Sequence, residues 1–119
     1  MRSARDAVDA HVAALNHGDL DEILDTFTPD AVFRSDGGRA MGRGELAHLF
    51  RRVAGPRERP TTILRRATVV GDVADCTLTR RFTVTDEHGR VAAAHDVEVR
   101  AVFTVRDGAI ARVEVDPRS

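Results

Sequence analysis

At 119 residues the chain has the length of one domain, spanning 1–119, with one core and room for one cavity. Charged residues are 31% of it and apolar ones 42%, the mix of a soluble globule. A formal net charge of −1 excludes a general attraction to nucleic acid or to an anionic membrane surface. All 18 basic residues are Arg, which fits the codon bias of a GC-rich bacterial genome. A single cysteine, Cys76, excludes an internal disulfide. The opening stretch MRSARDAVDAHVAALNHGD is broken by charges, and no window approaches a membrane span, so a cytoplasmic location is expected.

The first half reads helical. Ser3 can cap a helix with the stripe Ala7/Val8, Val12 and Leu15, ending at Asn16-His17-Gly18. Asp19 can cap a second helix with Leu20, Ile23, Leu24 and Phe27 on one face and Pro29 just beyond. Ala31 to Ser35 is a short strand. From Gly44, the residues Leu46, Leu49, Phe50 and Val53 recur at helical spacing, and residues 55–60 are the most loop-like segment.

The period then changes. Thr61 to Val70 is a strand, and Gly71-Asp72 is a hairpin signal. Val73 to Thr85 alternates, with Cys76, Leu78, Phe82 and Val84 opposite Asp75, Thr77, Thr79, Arg81 and Thr83. Asp86-Glu87-His88-Gly89 turns the chain into Val91 to Val105, which alternates again. Arg106-Asp107-Gly108 leads to a last strand, Ala109 to Val115. Helices first and long antiparallel strands after are an α+β plan. Strands this long must bend, and a bent sheet over helices leaves a conical hollow suited to a small ligand.

Function in such a hollow should show as polar residues that break an apolar face. His11 lies on the stripe of the first helix, as a functional group or as a core histidine with one hydrogen bond. Ser35 shares a face with Phe33. Arg80 lies between Leu78 and Phe82, where an unpaired guanidinium is costly; it is at an open rim, paired with a carboxylate, turned out by a bulge, or meets an anionic or carbonyl ligand. His95 sits on the Val97/Val99 face, in the site or as a strand-end residue reaching solvent. Asp36 reads as a catalytic carboxylate at the cavity mouth or as a turn former before Gly37-Gly38.

Other motifs carry less. Gly42-Arg43-Gly44-Glu45-Leu46-Ala47 fits G-x-G-x-x-A, but no parallel strand with an acidic residue follows, so these glycines read as a tight helix entry. Glu45-Leu46-Ala47-His48 is a lone E-x-x-H, and the five His lack ligand spacing, so no metal is expected. Cys76 reads as inert among apolar neighbours. The Arg pairs lack interleaved Trp or Tyr, against a base-stacking platform.

Three stretches in order, "HVAALNHGDLDEILDTFTPDAVF", "GRGELAHLFRRV" and "VRAVFTVRDGAIARVEV", resemble the NTF2-like superfamily, which includes ketosteroid isomerases and SnoaL-type polyketide cyclases. The resemblance implies a cone-shaped α+β barrel, three N-terminal helices packed in a curved, mostly antiparallel sheet. It also implies a homodimer and a pocket for a hydrophobic molecule. The isomerase branch's residues do not carry over. Its general-base Asp aligns with Ser35, its oxyanion Tyr with His11, its supporting Tyr with Phe50 and its protonated Asp with Ala101. The cyclase and hydrolase branches place acid/base groups variably, which keeps a His–Asp pair in play.

The expectation is an isomerase, cyclase or lyase-type enzyme without cofactor, acting on a small hydrophobic, carbonyl-bearing molecule. Asp36 or His95 would be the base, His11 the acid or oxyanion donor, and Arg80 the partner of an enolate or carboxylate. Phe33, Ser35, Phe50, Leu78, Phe82, Val99 and Ala101 would line the pocket. The alternative is a non-catalytic ligand-binding or dimerising module, which would be marked by a cone filled with Phe27, Phe33, Phe50, Phe82 and Phe103. A protein-recognition adaptor would need an apolar patch on the outer sheet face, where Asp96, Glu98 and Arg100 stand instead.

Overall fold

The computed structural model describes residues 3–51 and 60–117. Val53 and residues 55–59, placed above in a helix and a loop, lie outside them.

Helix α1, Ala4–His17, starts where the Ser3 hydroxyl accepts the Asp6 N–H at 3.1 Å. It stops at Gly18, whose φ of 75° is left-handed and whose N–H bonds Ala14 O. Helix α2 is only Leu20–Leu24, capped by Asp19. It was expected to reach Phe27. Instead the chain turns extended at Thr26, whose carbonyl accepts the Ile110 N–H at 2.9 Å, and Phe27 pairs with Ile110. Sheet pairing with a residue far along the chain overrides the local helical spacing.

Strand β1 is therefore Phe27–Ser35, longer than the expected Ala31–Ser35. Pro29 sits inside it, within the stretch where the register shifts between Phe27 and Val32, so its missing N–H breaks no regular ladder. A second strand, β2, Gly38–Met41, went unread in the sequence. It pairs antiparallel with β1 from Ser35↔Gly38 to Val32↔Met41, leaving Asp36-Gly37 as the hairpin tip. Gly38 has φ 133°, a value that side chains strongly disfavour. Helix α3, Gly42–Phe50, follows directly; Glu45 accepts the Met41 N–H at 2.8 Å.

The remaining strands match the period-2 reading closely: β3 Thr61–Val70, β4 Val73–Thr85, β5 Val91–Arg106 and β6 Ala109–Pro117. One six-stranded sheet runs β2-β1-β6-β5-β4-β3, antiparallel except for the parallel β1–β6 pair. β2 and β3 are its edges, so the cone is curved but not closed into a barrel.

Val8, Ile23, Leu46, Phe103, Ile110 and Val113 lie at the centre of the core between helices and sheet. The side chains of the other sheet face are more polar, with ion pairs Arg81–Asp96 and Arg100–Asp75 across β4 and β5. Past Phe82, the β4–β5 hairpin leaves the body. Residues 83–85 and 91–96 are exposed on both faces.

Candidate functional site: a cavity with one buried histidine and one arginine

The ladder organises the concave face into rungs. Phe33 pairs with Val113, Val113 with Phe103, and Phe103 with Ala74. Next come Val115, Ala101 and Cys76, with Ser35 beside Val115 because Arg34 pairs with Glu114. Then Val99 faces Leu78, and on the last rung Val97, Arg80 and Thr62 stand in line. From Ala74 to Arg80 this covers six residue steps along β4, about 20 Å at ~3.3 Å per step.

Between these rungs and helices α1 and α3 lies a cavity of about 290 Å³. Its walls are Leu15, Phe33, Leu49, Phe50, Pro60, Leu78, Val99, Ala101, Phe103, Val113 and Val115. Among the described residues, four polar ones line it: His11, Ser35, Thr62 and Arg80. An apolar hollow with few convergent polar groups is the usual form of a small-ligand site.

His11 marks the closed end. It is 3% exposed, ringed edge-on by Phe27, Phe50 and Phe103 at centroid distances of 5.1, 5.9 and 5.8 Å. Its Nδ1 is 2.9 Å from Thr26 Oγ1, and that hydroxyl donates to Ile23 O at 2.6 Å. A hydroxyl has one proton, and Thr26 has given it to Ile23. His11 Nδ1 must therefore be the donor, and Nε2 carries the bare lone pair. No sealed side-chain nitrogen or oxygen among the described residues lacks a partner, and Nε2 has no protein partner, so Nε2 opens onto the cavity. Burial lowers the His11 pKa from 6.5 to about 4, so the ring is neutral at pH 7. At rest it accepts rather than donates, the reverse of the acid or oxyanion-donor role read from sequence.

Arg80 marks the open end. It is half-buried, and its Cζ lies 5.5 Å from the Phe82 ring centroid. Burial lowers its pKa, though a guanidinium stays charged. Among the described residues it has no hydrogen-bond or ion-pair partner. Its neighbour Thr62 is fixed from outside. Asn16 accepts the Thr62 N–H at 2.7 Å and donates to Thr62 O at 2.8 Å, giving edge strand β3 a side-chain substitute for a pairing strand.

The other expected residues divide. Ser35, Phe33, Phe50, Leu78, Val99 and Ala101 all line the cavity. Phe82 does not; it supports Arg80 from beneath and faces His95, 5.8 Å ring to ring. Asp36 is exposed at the hairpin tip, and His95 is exposed on the projecting ribbon; neither lines the cavity. Phe27, Phe50 and Phe103 fill the closed end, yet the cone stays hollow above them. The sequence reading missed Thr26, Thr62 and Asn16. Thr26 gave no signal, because its role depends on a residue 15 positions earlier.

A model of the SnoaL-like domain family matches residues 8–113. Solved structures share the NTF2-like, ketosteroid isomerase-like fold. An LEH-like epoxide hydrolase from M. tuberculosis is 25% identical, with TM-score 0.74, covering 94% of this chain and 80% of that one. A hypothetical protein of ketosteroid isomerase-like fold from Catenulispora acidiphila, in complex with trimethylamine, is 15% identical, with TM-score 0.76 and coverage of 92% and 83%. SalBIII, an epoxide hydrolase/cyclase-like enzyme with a role in pyran ring formation in the polyether salinomycin, is 19% identical, with TM-score 0.77 and coverage of 97% and 90%. A comparison with curated proteins finds no match.

Proposed function

The chain belongs to the SnoaL-like domain family, and from that premise we propose that it is a cofactor-independent acid/base enzyme for a small, mostly hydrophobic carbonyl compound. The observation that carries this reading is the His11 Nε2 lone pair, presented to an apolar cavity while Nδ1 is committed to Thr26. A neutral acceptor held rigidly can take a proton, and because burial lowers its pKa to about 4 the step relies on stabilisation of the charge that develops on the substrate oxygen.

The step is a proton transfer. A C–H bond beside the substrate carbonyl breaks, its proton goes to His11 Nε2, and the electron pair moves to the carbonyl oxygen as an enolate. The Ser35 hydroxyl, about two residues along the sheet from the Phe103 rung, supplies a donor to that oxygen. The buried imidazolium is unstable and gives its proton back. Where the enolate is conjugated with a C=C bond, return to the far carbon is isomerisation; attack of the enolate carbon on a second carbonyl is ring closure, and the alkoxide so formed takes the proton from His11. Asp36 and His95 take no part in the proposed step.

One observation favours a second reading. No carboxylate lines the cavity among the described residues, which suits a binding module without chemistry. Deuterium exchange separates the two. In D₂O, 4-phenyl-2-butanone or ethyl 3-oxohexanoate should lose its α-proton NMR signals faster with the protein than without it. Folded His11→Phe should be slower by about 100-fold or more. The rate should hold from pH 8 downward and fall as pH drops through about 4, where Nε2 is protonated. Tight binding of these ketones with exchange at the buffer rate decides for the binding module.

A further inference from the structure

Arg80 is the one charged side chain on the cavity wall among the described residues. The next residue is placed differently. Arg81, on the opposite face, meets both carboxylate oxygens of Asp96, at 2.9 and 3.1 Å. Arg43, Arg100, Arg106 and Arg112 are likewise paired with carboxylates. Arg80 is half-buried and desolvated, held over Phe82, and has no hydrogen-bond or ion-pair partner among the described residues. Burying a cation without a counter-charge is costly, and that cost persists when a neutral ligand fills the cavity and expels water from the guanidinium. A ligand carrying its own anion removes it.

The placement suits this. Arg80 and Thr62 share the outermost rung, so a guanidinium and a hydroxyl stand side by side at the mouth. All that lies between them and His11, apart from Ser35, is apolar. At interior packing density, about 290 Å³ holds a compact body of roughly a dozen non-hydrogen atoms.

Resting on the cavity being the binding site, we propose that the natural ligand is a small hydrophobic monoacid. Its carboxylate is received by Arg80 at the mouth, with the Thr62 hydroxyl beside it, and its apolar body points toward His11. A bidentate guanidinium–carboxylate contact supplies orientation as well as affinity, presenting the far end of the molecule to Nε2. The inference concerns recognition alone and does not depend on whether a proton is moved.

Calorimetric titration with two isosteres tests it: 3-phenylpropanoate and 3-phenylpropanamide, same shape, one charged. The wild-type protein should bind the acid at least about 10-fold more tightly than the amide, the range of a charge-assisted hydrogen-bonded contact. In Arg80→Gln the acid should weaken to the level of the amide, while the amide itself changes little. Raising salt from 50 to 500 mM should weaken the acid by less than a surface ion pair would lose, because the contact is half-buried. Equal binding of acid and amide by the wild-type protein overturns the proposal without recourse to any variant, as does retention of the acid preference in Arg80→Gln. Failure of the ketone exchange above leaves this inference standing, and failure here leaves that one standing.

Discussion

The two ends of the cavity handle a polar group in opposite ways. At the closed end, His11 is sealed among three phenylalanines, and its one available N–H is spent on Thr26. It is kept neutral, and only a lone pair remains for a guest. At the mouth, Arg80 is charged, half in water and without a hydrogen-bond or ion-pair partner among the described residues. The lesson is that the polar group without a partner matters more than the polar group as such. Each end withholds one half of an interaction: an acceptor deep inside, a cation at the rim.

The largest effect that can break this contrast lies in the packing of the closed end. Phe103, 2% exposed, touches His11 and anchors the first rung. Phe103→Ala should cost about 3–5 kcal/mol of stability in urea unfolding. A loss below about 1 kcal/mol would mean that the closed end is looser than described and that His11 is not held by it.

Acid should act next, and on one end only. The His11 pKa is 6.5 in its ordinary state and about 4 in the fold. Between these values the unfolded chain takes up a proton that the folded chain refuses. The stability tied to this group is whole above pH 6.5 and is lost as pH falls toward 4, on the order of 3 kcal/mol in total. Carboxylates titrate in part of that window, so the quantity to measure is the difference between wild type and His11→Gln at pH 7 and pH 4. An equal decline in both proteins removes His11 as the source.

The smallest effect sharpens the other side. Arg80→Gln should cost no more than about 1 kcal/mol, since among the described residues it breaks no hydrogen bond or ion pair and loses only the contact with the Phe82 ring. A loss of about 1.5 kcal/mol or more would show that Arg80 has work in the fold, and its place in ligand binding would need rethinking.

The sheet was legible because alternation survives burial. β3 and β4 fall at the boundaries their alternation sets, and the polar breaks at His11, Ser35 and Arg80 do line the cavity. Helix α2 was misread because Phe27 has helical spacing locally but finds its partner, Ile110, 83 residues later. β2 was missed because four residues, Gly38–Met41, are too few to show a period. Asp36, one residue from Ser35, read either as a catalytic carboxylate at the cavity mouth or as a turn former. The hairpin closing at Ser35↔Gly38 puts Ser35 on the ladder and Asp36 at the tip, in water. His95 shares the apolar parity of Val97 and Val99, but parity says nothing of where the sheet leaves the body, and His95 lies beyond that point.

By itself, the sequence determined the long strands and their order after the helices, the concave face and the residues that interrupt it, because periodicity is a local property of the chain. Tertiary structure alone decided which interruptions matter. Whether a histidine donates or accepts is set by a threonine whose own proton is already spent. Whether an arginine is free is set by which carboxylates stand across the cavity, none among the described residues, and neither fact is written next to the residue it governs.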